Sequence, residues 1–250
     1  MALDYVISMD CSPKQALGAD GIQELLNARG YARYLLKVMR EQGNQMSAEQ
    51  IRFRSRLSRP SNVTETEGEV HELIERTAVL DDYQHECVSC PANLRGGHGF
   101  GCYGRVNYPI DPETEQLLLS MLPDDLTLPG AGAEFRRALE HFGWDGQQAA
   151  ALRAQSRTFF KTATTPVRRW PTGETFTGDQ VFQMLFMPVG ADWSYAMMLA
   201  IAFRVIRLAE ESGTSFEPAE PVAENALQAA RFLQALAVAA ERRLSVLMDG

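Results

Sequence analysis

The chain has 250 residues and a mass of 27.8 kDa, with 45% apolar, 22% charged and 9% aromatic residues. This composition excludes the disordered, collagenous and low-complexity classes of protein. The net charge of −8 and the pI of about 5.1 disfavour a protein that coats nucleic acid or binds an anionic bilayer.

The N-terminal residues lack the basic and apolar regions of an export signal. The longest nearly uncharged stretch, residues 193–203, is much shorter than the roughly 20 residues that a membrane-spanning helix needs. We therefore expect a soluble, cytoplasmic protein that does not enter the membrane.

The first third of the chain alternates between strand and helix patterns. Residues 3–8 are β-rich and predict a strand, and the apolar spacing of residues 20–42 predicts a helix. From residue 51 to residue 57 the apolar period changes to two, which indicates a second strand, and residues 63–76 could pair with it.

One face of the second predicted strand is basic. Arg52, Arg54 and Arg56 alternate with apolar or small residues, and the next segment is rich in glutamate. Opposite charges on neighbouring strands stabilise the pairing by a few tenths to ~1 kcal/mol per pair. Because no aromatic residues interleave the arginines for base stacking, we interpret this face as neutralised by its neighbour and expect no nucleic-acid site.

The C-terminal half is dominated by helical patterns. An irregular, Gly-rich region spans 87–108, a helix starts near residue 111, and the proline and glycine residues of 123–131 mark a linker. The further predicted elements are helices at 133–142 and 145–160, a loop or hairpin at 162–176, and helices at 177–187, 191–211 and 221–248.

These patterns predict an α+β protein that is predominantly helical. A small N-terminal, strand-containing part with a Cys/Gly-rich metal loop occupies residues 1–123, and a helical bundle occupies residues 131–250. A single continuous domain is the alternative, because the length of the chain permits one large core.

A cysteine cluster is the strongest local signal. Cys87 and Cys90 are separated by two residues, Cys102 follows after a Gly-rich segment, and Cys11 is the fourth cysteine of the chain. Two-residue spacing lets two thiolates bind one metal ion, and the glycines allow the backbone to approach the sulfur atoms. The cluster therefore predicts a metal site.

The fourth ligand has three candidates. Cys11 completes an all-thiolate site with Cys87, Cys90 and Cys102, and we prefer it because this set uses every cysteine. His98 would instead give a self-contained knuckle, and His85 is a further alternative.

Zinc is the metal that the spacing favours, because a closed tetrahedron of nitrogen and sulfur ligands suffices for it. An iron–sulfur cluster is the alternative, since it uses four thiolates, although the spacing matches neither common ferredoxin pattern. Buried thiols without a metal, or a redox-active pair of Cys87 and Cys90, also remain open. A disulfide is disfavoured in a reducing compartment.

The predicted function follows from a closed site. Four protein ligands leave no open coordination position, so we expect a structural zinc ion that supports a recognition surface for a macromolecular partner, most simply a protein. We do not expect an enzyme, because no complete catalytic motif is present. An iron–sulfur, redox-active or enzymatic metalloprotein using the same cysteines is the alternative.

Two further segments carry interaction hypotheses. The segment around Arg168, Arg169 and Trp170 could bind an anion or a protein, but a tryptophan that covers the core is favoured. The final helix could form a homo-oligomer through its leucines, with packing inside the same chain as the favoured alternative.

Overall fold

The computed structural model describes residues 2–59, 62–107, 110–122, 131–155, 165–170, 173–186 and 224–249. Over these ranges the chain is mainly helical and contains three small antiparallel sheets. The predicted α+β class with predominant helix is therefore confirmed. The chain divides into two compact units, Asp10–Phe100 and the combination of Met1–Met9 with Gly101–Gly250.

The described helices and strands follow one another along the chain. The helices are α1 (Ser12–Leu17), α2 (Ala19–Glu41), α3 (Val70–Thr77), α4 (Val79–Val88), α5 (Pro112–Ser120), α6 (Ala131–Phe142), α7 (Gln147–Gln155), α8 (Gly178–Phe186) and α9 (Glu224–Arg242). The strands are β1 (Ala2–Ile7), β2 (Arg52–Arg59), β3 (Asn62–Glu69), β4 (Tyr103–Asn107), β5 (Val167–Arg169), β6 (Thr175–Thr177) and β7 (Val246–Asp249).

The unit Asp10–Phe100 packs α2 and α3 around a small apolar core. Ala32, Ile51 and Val70 form its buried centre, and partly buried side chains of α2, α3 and β2 surround them. The ring of Phe53 on β2 meets that of Tyr31 on α2 edge-on, with 5.5 Å between the ring centroids. This contact attaches the base of the β2–β3 hairpin to the long helix.

The β2–β3 hairpin pairs a basic strand with an acidic strand, as predicted. Arg52 lies opposite Glu69, and Arg54 lies opposite Glu67. The Arg52–Glu69 ion pair measures 3.1 Å between nitrogen and oxygen, and Arg54 contacts Glu65 at 2.6 Å and Glu67 at 3.2 Å. Arg52 and Arg54 are therefore neutralised within the hairpin, and these pairs support the interpretation that the basic face is not a nucleic-acid patch.

The second unit contains a sheet in the order β4-β1-β7, with α9 packed against all three strands. Tyr5 of β1 meets Phe232 of α9 with 5.2 Å between ring centroids. Opposite Tyr5 on β4 lies Gly104, where a Cβ atom would collide with the tyrosine ring. Leu233 and Leu236 of α9 are buried within this unit, which supports intramolecular packing for this face of the helix.

Four local predictions are wrong. The strand expected over residues 63–76 ends at Glu69, and Val70–Thr77 form the helix α3. Cys87 is not in an irregular segment but in the last turn of α4, and residues 103–107 form the strand β4. The final helix ends at Arg242 instead of near residue 248, because Arg243 adopts a left-handed conformation (φ 54°) and the apolar residues after it pair with β1 as strand β7.

Some predicted elements fall outside the described residues. The whole of the buried helix expected at 191–211 is among them, as are residues 123–130 of the expected linker and the start of the final helix. The division of the chain at this linker, into 1–123 and 131–250, stays a prediction. Within the described ranges, none of the helices combines the length and the apolar character that crossing a membrane requires.

Candidate functional site

The four predicted metal ligands are distributed over the two compact units. Cys11, Cys87 and Cys90 belong to the unit Asp10–Phe100, whereas Cys102 belongs to the other unit, directly before β4. None of the four forms a disulfide. Three of the four cysteines therefore belong to a single compact unit.

Two helices bring Cys11 towards Cys87. Cys11 is the N-cap residue of α1, in an extended conformation that allows Pro13 to enter the first turn. The helix α1 packs against α4, and the hydroxyl of Ser12 donates a short hydrogen bond to the Glu86 carboxylate. Because Ser12 and Glu86 are the direct chain neighbours of Cys11 and Cys87, this bond fixes the two cysteine backbones beside each other.

A tight turn follows α4 and carries Cys90. The backbone N–H of Cys90 donates to the Cys87 carbonyl at 3.1 Å, and the N–H of Asn93 donates to the Cys90 carbonyl at 2.9 Å. The Asn93 side-chain amide then donates to the carbonyls of Cys87 and His98, at 2.7 Å each. This one side chain joins the end of the helix to the far side of the loop.

The loop returns to α4 through Gly99 and Phe100. A Cβ atom at position 99 would lie 2.7 Å from Cγ of Gln84, so a glycine is needed for the backbone to approach the helix. Phe100 is buried and adopts a left-handed conformation with φ 60°. Its backbone N–H donates to the sulfur of Cys87, the type of contact that stabilises thiolates in metal-binding turns.

The charges around Cys87 favour its neutral form. Burial raises the pKa of the Cys87 thiol above its ordinary value, the Phe100 N–H lowers it in part, and ionised Cys11, Cys90 and Glu86 raise it further. Charges change the pKa of a neighbour appreciably when they lie within ~4–6 Å. Ionised Cys11, Cys90 and Glu86 therefore give Cys87 surroundings that carry negative charge.

The three thiols do not close into a complete coordination shell. Among the residues that the structure describes, no group of three or more His, Cys, Asp or Glu side chains has the arrangement of a metal site. Cys87 is buried, and Cys11 and Cys90 are partly exposed. The alternative ligands His85 and His98 both have exposed side chains, on α4 and on the loop respectively.

A second polar cluster, which the sequence did not indicate, lies in the other unit. Arg153 of α7 forms ion pairs with Glu115 of α5 and with Asp179 of α8, and all three side chains are buried. The guanidinium of Arg153 also lies 5.7 Å from the centre of the Phe182 ring, and Thr165 donates a hydrogen bond of 2.9 Å to Asp179. This network joins three helices inside the core.

Local sequence gives little indication of this network. Glu115 and Asp179 each stand in the first turn of a helix, where acidic residues are common because they complement the helix dipole. At Gly178 a side chain would collide with the Glu115 carboxylate, so this glycine makes room for the ion pair. Because two carboxylates share one guanidinium, the cluster links α5, α7 and α8.

The segment around Trp170 has a structural role. Trp170 is buried and meets Phe176 edge-on, and Arg168 donates hydrogen bonds to the carbonyls of Leu119 and Leu122. The guanidinium of Arg168 also stacks 5.3 Å from the indole ring. These contacts support the interpretation of a core tryptophan, with Arg168 donating to two carbonyl groups at and just beyond the end of α5.

Comparison with protein-family models, with curated proteins and with solved structures finds no match for this chain. Any function must therefore be argued from the chemistry of its own residues.

Proposed function

We propose that the unit Asp10–Phe100 binds one structural zinc ion through Cys11, Cys87 and Cys90, and that the ion holds the loop after α4 as a recognition surface for another protein. The observation that carries the proposal is the approach of Cys11 to the Cys87–Cys90 turn, fixed by the Ser12–Glu86 hydrogen bond. In sequence, Cys11 is remote from the other two cysteines, so their approach requires the folded unit.

The backbone around Cys87 suits a metal-bound thiolate. A zinc ligand must be deprotonated, and a backbone N–H directed at the sulfur stabilises the thiolate. Phe100 provides that donor at Cys87, although its left-handed conformation is unfavourable for a residue with a side chain. A divalent cation would also offset the negative charge of the neighbouring thiolates and of Glu86.

Closure of the site needs changes in side-chain torsions. A cysteine sulfur is placed by a single torsion angle with three staggered positions, so the proposed site would close by rotation of the thiols about these torsions. The sequence also assigned Cys102 to this site, with Cys11, His98 or His85 as the fourth ligand, and that assignment stays a prediction.

The loop after α4 is the proposed recognition surface. Arg95 and His98 are exposed on it, and Val88 at the end of α4 is an exposed apolar side chain, with 46% of its surface accessible. We propose that the partner contacts these residues. Because the loop is rich in glycine, its order depends on the contacts of Asn93 and on the proposed clamp by the metal.

Metal analysis of the protein, purified without added metal under reducing conditions, tests the proposal. We expect one zinc ion per chain and its loss in the variant Cys90→Ser. The variant Ser89→Ala, at the exposed neighbouring position, is the control and should keep the metal. A brown protein with iron and absorption near 400 nm would favour the iron–sulfur alternative, and a protein without a stoichiometric metal would contradict both.

The fourth ligand is found by two further variants. Loss of zinc affinity in Cys102→Ser with retention in His98→Ala would support the all-thiolate set, and the opposite result would support the histidine. A three-coordinate site would be indicated if both variants keep full affinity.

A further inference from the structure

The turn between Cys87 and Cys90 has the geometry of a disulfide precursor. The hydrogen bond of 3.1 Å from the Cys90 N–H to the Cys87 carbonyl closes a turn between residues three apart. Such turns hold the two terminal Cα atoms within ~7 Å, and disulfides usually join Cα atoms ~4.4–6.8 Å apart. The two sulfurs can therefore be joined by rotation of the side chains, without unfolding the helix.

The two thiols differ in their access to solvent. Cys90 is partly exposed at the end of the turn, whereas Cys87 is buried beneath the loop with its sulfur against the Phe100 backbone. A small disulfide in solution can reach Cys90 first, and Cys87 is placed behind it to complete the exchange. Cys11 is also partly exposed, but it reaches this pair from another helix and not through a local turn.

We infer that thiol–disulfide exchange at the Cys87–Cys90 turn regulates the proposed metal site: oxidation of this pair releases the metal ion, and reduction restores the site. The inference rests on the proposed function, because it concerns the release of the metal that we assign to these thiols. The oxidant is a low-molecular-weight disulfide such as glutathione disulfide.

The exchange balances in two steps. The Cys90 thiolate attacks one sulfur of glutathione disulfide, so that a mixed disulfide forms and one glutathione thiolate leaves. The Cys87 thiolate then attacks the Cys90 sulfur, forming the Cys87–Cys90 bond and releasing the second glutathione thiolate. The pair loses two electrons and glutathione disulfide gains them, and the metal ion leaves because two of its thiolate ligands have become disulfide sulfurs.

Oxidation also changes the surface that the metal supports. The carbonyls of Cys87 and Cys90 both accept hydrogen bonds from Asn93, the residue that joins α4 to the loop. Loss of the metal removes a clamp from this loop, so binding of the protein partner should weaken on oxidation and return on reduction.

The test uses the full chain as purified, in buffers with increasing ratios of glutathione disulfide to glutathione. Released zinc is measured with a chromogenic chelator, and the disulfides are mapped by mass spectrometry of peptides after alkylation. We expect one zinc ion released for each Cys87–Cys90 disulfide formed, with full reversal when excess glutathione and zinc are added. In the variant Cys11→Ser, the Cys87–Cys90 disulfide should still form. Its formation can therefore be measured independently of metal affinity.

Three outcomes overturn the inference: a disulfide that includes Cys11, stable glutathione adducts without a bond between Cys87 and Cys90, or formation of that bond while the metal stays bound. A protein that keeps both its zinc and its reduced thiols in glutathione disulfide alone also contradicts the inference. That result leaves the proposed function intact. A chain that contains no metal at the outset overturns both.

Discussion

Replacement of Arg153 by methionine should destabilise the unit that contains α5, α7 and α8. The substitution keeps a long apolar side chain next to Phe182 but removes the positive charge between Glu115 and Asp179. Both carboxylates would then be buried without the cation that compensates them.

The expected magnitude follows from the burial of the three side chains. Glu115 is fully buried, and Arg153 and Asp179 are 8% and 5% exposed, so solvent screens the network very little. Removing one partner of a buried ion pair costs ~3–5 kcal/mol, a large part of the ~5–15 kcal/mol by which a domain is stable. If the free energy of unfolding falls by about 2–3 kcal/mol per molar urea, the unfolding midpoint should fall by about 1–2 M.

The assay is equilibrium unfolding in urea, followed by circular dichroism. The matched control is Arg136→Met on α6, which removes an ion pair with Glu174 whose two side chains are 42% and 36% exposed and should cost ~0–1 kcal/mol. Neutralising both acids together with Arg153→Met should recover part of the loss. The reasoning is refuted if Arg153→Met is no more destabilising than Arg136→Met.

Other residues allow further tests by the same unfolding assay. Gly104→Ala should lower the free energy of unfolding by ~1–3 kcal/mol, since its Cβ would displace the buried ring of Tyr5; an unchanged midpoint would contradict this packing. Arg168→Ala should cost ~1–3 kcal/mol because it removes the side-chain donor to the Leu119 and Leu122 carbonyls, whereas the exposed Arg169→Ala should change stability little, and equal effects would argue against a role of these hydrogen bonds. The raised pKa of Cys87 in the metal-free protein means that folding favours the protonated thiol. The stability that results is present below the usual thiol pKa and is lost as the pH rises through the higher pKa of the folded state. Cys87→Ala should flatten this alkaline decline in the free energy of unfolding, and an unchanged pH profile would exclude Cys87 as its source.

The sequence predicted those elements whose signals are local. The alternation of Arg52, Arg54 and Arg56 predicted a strand, and the structure pairs it with the acidic strand that follows. Thr177 and Gln180 predicted the start of a helix, and the Gln180 N–H donates to the Thr177 hydroxyl at 3.2 Å, directly before α8. In both cases the interacting residues are close in sequence, so pattern and propensity are sufficient.

The features that escaped prediction depend on contacts between distant parts of the chain. The strand β7 follows the alanine-rich helix α9 and forms because β1, at the other end of the chain, pairs with it. The buried partners of Arg153 lie on two other helices, and their positions in acidic first turns resemble ordinary surface residues. No local periodicity encodes either arrangement.

The cysteine site combines both kinds of signal. A turn joins Cys87 to Cys90 and Gly99 lies against Gln84, whereas the metal site that the spacing and the glycines indicated stays a prediction. The sequence did not reveal that Ser12 and Glu86 would connect the first helix to α4, because this bond joins residues from the two ends of the unit.

Zinc content per chain is the measurement that tests the central claim most directly, made by elemental analysis on reduced protein that has never been exposed to added metal or chelator. Our account predicts one zinc ion per chain in the wild type and in Ser89→Ala, and none in Cys11→Ser or Cys90→Ser. Wild-type protein that folds stably without a stoichiometric metal ion would contradict it, because the three thiols would then be ordinary cysteine side chains that bind no metal.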